Sequence, residues 1–337
     1  VVFATPLLLA LRRGYPDAQI DWWVSDWSIE AIRYHPALTN AISTGAGANP
    51  AAKPRGLLRL ALKLRRGGYD MLVVPERSTK VSLAALLSGI RTRVGLDSGG
   101  RGFGYTVRAR IDPQERRHEA EIYLDLARAL QLPTENIFVN APPSVWTQAE
   151  IAGLLHALQI PEDRPLLVIN PAGGLNPGMN MVSKRWPTAH FAELISKYLK
   201  KYNGLVVLLG SAEDKHLTKS VVELLNSERV LDWAGRLSLP QMATLAALPQ
   251  TQLYIGNDTG ITHLAAAAGA QVLAIFGPSD PKRYAPFAPN ATFLWKPVEL
   301  PNEGVAYGNI SFEWERDGVT VAEVWANVQN KIEGGKR

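Results

Sequence analysis

Residues 253–281 constrain the fold of this chain more than any other stretch. Leu253–Gly256 is an apolar run that predicts a buried strand, and it breaks into the turn Asn257-Asp258-Thr259-Gly260. Small residues from Ile261 to Ala268 predict a closely packed helix, which Gly269 ends. Val272–Phe276 predicts the next parallel strand, and Gly277-Pro278-Ser279-Asp280-Pro281 stops it. A strand–loop–helix–strand unit of this kind belongs to an open α/β sheet with helices on its faces.

The polar residues of this unit gather at the carboxyl end of its first strand, the edge where open α/β sheets bind ligands. The first amides of the helix lack intrahelical partners and suit a diphosphate. Asp258 is a candidate acceptor for ligand hydroxyls, Thr259 and Gly260 carry the helix-start amides, and His263 lies on the first turns of the same helix. Each residue also has a plainer role open to it. Asp258 and Thr259 serve equally as a helix N-cap, and a lone histidine such as His263 is more often structural.

The string D-T-G-x-x-H-L-A-A-A-x-G followed by F-G-P-S-D-P resembles the signature of the heptosyltransferases, family 9 of the glycosyltransferases. The resemblance implies an inverting transfer of heptose from an ADP-heptose donor to the lipopolysaccharide inner core. It also implies the glycosyltransferase B arrangement, two doubly wound Rossmann-like α/β domains facing a cleft.

Composition is compatible with that class. Of the 337 residues, 46% are hydrophobic and 20% charged, so two globular domains are expected. There is no cysteine, which excludes a disulfide framework and a thiolate metal site. No apolar run reaches the ~18 residues of a transmembrane helix. The net charge of +5 is uneven: residues 1–150 hold 19 Lys and Arg against 14 Asp and Glu, while the remainder balances at 17 of each. A basic first half suits an anionic membrane surface, and equally a merely solvated one.

Val1–Arg13 opens in the middle of an element, a helix with Pro6 near its first turn. The chain therefore reads as a fragment, with the first strand of the fold before Val1. The resemblance places a Gly-Asp pair there and assigns the general base to that Asp, which this sequence does not contain. Further on, Ile20–Val24, Met71–Val74 and Thr92–Gly95 predict strands, and Trp27–Tyr34, Leu57–Arg66 and Ser82–Leu87 predict helices. Ser98–Tyr105 is a glycine-rich loop, either a phosphate cradle or simply a surface turn. Its Arg101, with Arg108 beyond it, is a candidate for acceptor phosphates. A long helix is expected from Arg116 through Leu130, and Gln148–Leu158 predicts a helix in the connection between domains.

The second domain opens with the strand Leu166–Asn170 and the glycine-rich Pro171–Gly178. Lys184-Arg185-Trp186-Pro187 then precedes a helix over Ala189–Lys200. Lys184 is a point charge placed to neutralise a diphosphate leaving group, although a solvated Lys-Arg pair is the plain alternative. The family has a similar K-x-W-P motif whose lysine is associated with the nucleotide phosphates. Glu213 and Asp214 follow the strand Leu205–Leu209, where an acid can grip ribose hydroxyls; favourable charge at a helix start explains them as well. The segment around Leu237 resembles one that lines the nucleotide base in the family. Glu299–Asn309 reads as a loop, and Val319–Ile332 has helical spacing.

The expected organisation is an acceptor-side domain over 1–143, a connector over 144–163, a nucleotide-sugar domain over 164–316, and a C-terminal helix and tail over 317–337. Lys184 and Asp258 are the expected catalytic residues, and Lys184, Glu213, Asp214, Leu237, Asp258, Thr259, Gly260 and His263 the expected donor site. No cofactor or nucleic acid is expected, and no metal either, since the chain has no D-x-D motif. The partners are a nucleotide sugar and a lipid-linked oligosaccharide, and the place is the cytoplasm, at the inner face of the membrane; oligomeric state stays open. Three alternatives stand: another sugar nucleotide on the same scaffold, an epimerase of similar fold, and a noncatalytic sugar-nucleotide-binding protein. A nicotinamide enzyme is disfavoured, because no G-x-G-x-x-G follows a strand.

Overall fold

The structure is a computed structural model and describes residues 1–46, 51, 53–176, 179–299 and 311–334. The chain separates into two compact units, 1–139 and 140–337. The expected connector is the helix Val145–Ala157 with its following turn, and it belongs to the second unit. The helix Val321–Gly334 belongs to that unit too.

In the first unit a 3-10 turn, Val2–Ala4, runs into the helix Thr5–Gly14, which has Pro6 in its first turn. The strands are β1 (Asp21–Val24), β2 (Asn40–Ser43), β3 (Met71–Val74), β4 (Thr92–Ser98) and β5 (Val107–Ile111). They pair in parallel as two sheets, β1-β2 and β3-β4-β5, rather than one. Side chains link the two: Trp23 Nε1 donates to Tyr69 OH at 3.0 Å, and Tyr69 OH donates to Asp21 Oδ2 at 2.9 Å. The helix expected over Trp27–Tyr34 is only Asp26–Ile29; the chain then turns, and His35 Nδ1 accepts the Ala37 amide at 3.1 Å. The strand expected over Thr92–Gly95 extends to Ser98, and β5 follows the glycine-rich loop.

The second unit is built on β6 (Leu166–Asn170), β9 (Leu205–Leu208), β10 (Val230–Asp232), β11 (Thr251–Asn257), β12 (Val272–Ile275) and β13 (Ala291–Leu294). These six are all parallel, in the order β10-β9-β6-β11-β12-β13. A small antiparallel hairpin, β7 (Leu175–Asn176) with β8 (Met179–Asn180), stands apart. β6 and β12 are buried throughout, as their Val, Ile and Leu runs require of a sheet covered on both faces.

Alternation then sorts the side chains. Leu167, Ile169, Val206, Leu208, Leu253, Ile255, Leu273 and Ile275 meet Phe191, Leu194, Ile195 and Tyr198 of the helix Thr188–Lys201 and Val324, Val328 and Ile332 of the C-terminal helix. Tyr254 faces the other way, toward the helix Gly260–Ala267, where its OH lies 3.2 Å from Thr262 Oγ1. The loop expected over Glu299–Asn309 lies outside the described residues from 300 on.

Candidate functional site

β9 and β10 lie beyond β6 on one side, and β12 and β13 lie beyond β11 on the other. The strand order therefore reverses between β6 and β11, which are paired from Leu166 opposite Thr251 to Asn170 opposite Gly256. A crevice opens at such a switch point, outside the carboxyl ends of the strands. The loops leaving these two strands carry Lys184 and Asp258.

Lys184 ends the 3-10 turn Val182–Lys184, and its Nζ lies 2.6 Å from Asp258 Oδ2. His263 Nε2 lies 3.2 Å from Asp258 Oδ1. Each carboxylate oxygen thus has its own partner, and Asp258 is only 7% exposed. Burial pushes its carboxyl up, but the Lys184 charge and the bond from His263 outweigh burial and hold it well below the ordinary carboxylate range. An ammonium has three donors. One is spent on Asp258, and two remain for a ligand.

Asn257 locks the two loops together. Its Nδ2 donates to the carbonyls of Pro171 and Ala172, both at 3.0 Å, and its Oδ1 accepts the Trp186 amide at 3.0 Å. Trp186, 1% exposed, then anchors in the core and donates Nε1 to Val319 O at 3.0 Å. A fully buried amide with both ends satisfied fixes geometry. Asn257 reads from the sequence as a turn residue; its place as the last residue of a buried strand is the signal that marks it.

Gly173 and Gly174 let the 171–174 segment lie against these loops. Their φ angles are +133° and +76°, and a Cβ on Gly173 would stand 2.0 Å from Thr259 Cγ2. Arg185 Nε donates to Gly173 O at 2.6 Å, so the arginine of the Lys-Arg pair braces the loop rather than lying free in solvent.

Thr259 occupies the N-cap position of Gly260–Ala267, but its side chain caps no amide. Thr262 Oγ1 donates to Asn257 O at 2.7 Å, and Thr259 Oγ1 lies 3.2 Å from that hydroxyl. The hydroxyl that would cap the helix is turned to Thr262 instead, which leaves the first-turn amides uncapped by it. Of the two roles open to Asp258 and Thr259, neither side chain performs capping here.

The remaining expected residues lie along the same carboxyl edge. Glu213 and Asp214 follow β9, and Leu237 follows β10, half-buried before the helix Leu239–Ala246. Asp214 Oδ2 accepts from Ser211 N at 2.9 Å and Ser211 Oγ at 2.6 Å, so its carboxylate is used within its own turn. Glu213 is exposed.

In the first unit Arg108 donates Nε to Tyr105 O at 3.1 Å and Nη2 to Phe103 O at 3.0 Å, bracing the glycine-rich loop. Arg101 is exposed on that loop. Among the described residues no group of three or more His, Asp or Glu side chains is placed to hold a metal ion.

The family model of glycosyltransferase family 9 (heptosyltransferase) matches residues 57–305. Lipopolysaccharide heptosyltransferase 2 of Escherichia coli K12 is 27% identical over 307 residues, which cover 87% of this chain and 84% of the relative. The structure of E. coli ADP-heptose lipopolysaccharide heptosyltransferase II superposes with a TM-score of 0.76 at 24% identity, covering all of this chain and 96% of that one. A family 9 glycosyltransferase from Veillonella parvula gives 0.80 at 20% identity, covering 99% and 93%. The signature around Asp258, the K-x-W-P segment and the parallel α/β architecture are thus parts of one pattern: the chain belongs to glycosyltransferase family 9, the heptosyltransferase family.

Proposed function

We propose that this protein transfers heptose from ADP-heptose to an acceptor sugar of the lipopolysaccharide inner core, at the cytoplasmic membrane surface. The observation that carries this reading is the Lys184–Asp258–His263 array at the β6/β11 switch point. It sets a cation, helix-start amides and a buried carboxylate side by side. A sugar diphosphate needs that combination, with positive charge for the phosphates and an acceptor for the sugar hydroxyls.

In the reaction the acceptor oxygen attacks the anomeric carbon as the bond from that carbon to the diphosphate breaks. Negative charge grows on the departing ADP, and Lys184 with the amides near Thr259 and Gly260 stabilises it. Asp258 orients Lys184 and accepts from the sugar, and His263 holds Asp258 from the far side. In this reading Glu213, the exposed acid after β9, meets the ribose, and Leu237 the base. The acceptor proton goes to a general base, the role that the family resemblance gives to an aspartate. The leaving-group charge falls to Lys184 and to amides, and the reaction calls on no metal or other cofactor.

The relatives named for lipopolysaccharide heptosyltransfer support the substrate class. No described helix is long and apolar enough to cross a membrane. Calorimetric titration with ADP-, UDP- and GDP-sugars tests the donor. Selective binding of ADP-heptose is expected; preference for a UDP- or GDP-sugar would overturn the donor assignment while leaving the fold.

A further inference from the structure

The helix Pro54–Arg66 in the first unit has one face accounted for and one not. Leu57, Leu60, Ala61 and Leu64 are buried against Val81, Leu83 and Ala84 of the neighbouring helix, Thr79–Ser88. Leu58 and Leu62, one turn apart, point outward and are 55% and 52% exposed. Two exposed leucines one turn apart on a helix make an apolar strip that water does not favour.

The flanks of that strip are cationic. Arg55, Arg59, Lys63 and Arg66 are all exposed on the same helix, with Lys53 just before it. No acid occurs anywhere in residues 51–69. Residues 51–100 hold 10 Lys and Arg against 3 Asp and Glu, so this segment carries more than the whole excess of the first half. One of the three acids, Asp97, is buried and accepts the Gly102 amide at 3.0 Å. The adjoining helix ends in two more exposed leucines, Leu86 and Leu87.

We infer that the outward face of Pro54–Arg66 docks the protein on an anionic lipid bilayer. Leu58 and Leu62 enter the boundary between headgroups and acyl chains. The long stems of Arg55, Arg59, Lys63 and Arg66 lie along it and carry their charges to lipid phosphates. A bilayer fits better than a protein partner because the apolar strip is narrow and every charge on its helix has one sign. A soluble phosphorylated glycan would use the cations but leave the leucines in water. The helix lies on the membrane and does not span it.

The inference adds the surface and the lipid class to the proposed membrane-surface reaction, but it can fail or stand without the donor assignment. Its test is flotation of the full chain with vesicles of phosphatidylcholine containing phosphatidylglycerol, against phosphatidylcholine alone. Binding to the anionic vesicles is expected, about tenfold weaker on neutral ones and released by high salt. Leu58→Ser/Leu62→Ser should weaken it at least fivefold with an unchanged circular dichroism melt and unchanged ADP-sugar affinity. Trp146→Ser removes a side chain that is 75% exposed in the second unit and should leave vesicle binding as it was. Equal binding by the leucine double variant would overturn the proposal. So would loss confined to Arg55→Gln/Arg59→Gln, which marks a phosphate site for a soluble glycan, or no binding to anionic vesicles at all.

Discussion

Lys184 Nζ and Asp258 Oδ2 lie 2.6 Å apart across 74 residues of sequence, and they join the loops that leave β6 and β11. The pair is nearly closed to solvent, with side chains 14% and 5% exposed. It is a link between two loops as well as a cation beside an acceptor, so its two functions can be separated by measurement. Removing one member leaves the other charge buried without its partner. Lys184→Met should cost about 2–3 kcal/mol in urea unfolding, below the figure for a fully buried pair because Lys184 keeps some exposure. Lys184→Met combined with Asp258→Asn should cost less than the two single changes added together. Strict additivity would show that the two groups do not interact.

Asn257 makes three hydrogen bonds that tie Pro171, Ala172 and Trp186 to the end of β11. Asn257→Ala should therefore destabilise by roughly 3 kcal/mol, at about 1 kcal/mol for each bond. Donor affinity should fall at least tenfold although the residue is fully buried and meets no ligand. Loss of stability with full donor affinity would mean that the loops keep their places without it.

Gly173→Ala puts a methyl group where Thr259 Cγ2 stands and asks alanine to adopt a φ of +133°. Backbone strain of this kind costs about 1–3 kcal/mol. The 171–174 segment should move away from Thr259, with donor binding falling more than the melt does. A variant that binds ADP-heptose as tightly as the parent would show that this segment has no part in the site.

The pH dependence has a definite sign. The folded Asp258 carboxyl lies below its ordinary value of 3.8, so the stability it contributes is complete above that value and is lost as pH falls below it. The stability gap between the parent and Asp258→Asn should be constant from neutral pH down to about pH 5 and should narrow below about pH 4. Paired urea titrations across that range measure it. A gap that stays constant down to pH 2 would contradict the ion pair.

Much of the second unit was legible in its residues. Leu166–Ile169, Leu253–Gly256 and Val272–Ile275 are unbroken apolar runs, and buried parallel strands need such runs. Lys184, Asp258 and His263 were legible because polar residues between such strands collect at one edge. The edge strands were harder. Asn40–Ser43 and Val230–Asp232 are short and partly exposed, so they carry little apolar signal. What Asp258 touches, and the use of Asp214 within its own turn, depend on side-chain direction, which periodicity does not encode. Asn257 escaped for the same reason: its partners lie 71 to 86 residues away.

The central claim is that the donor diphosphate rests on Lys184. The affinity of Lys184→Ala for ADP and for ADP-heptose, set against the parent protein by calorimetry, tests it most directly. Both ligands carry the diphosphate, so both affinities should fall at least tenfold, while Asp258→Ala should weaken ADP-heptose more than ADP. Unchanged affinity of Lys184→Ala for both ligands, in a protein that still folds, would contradict the account.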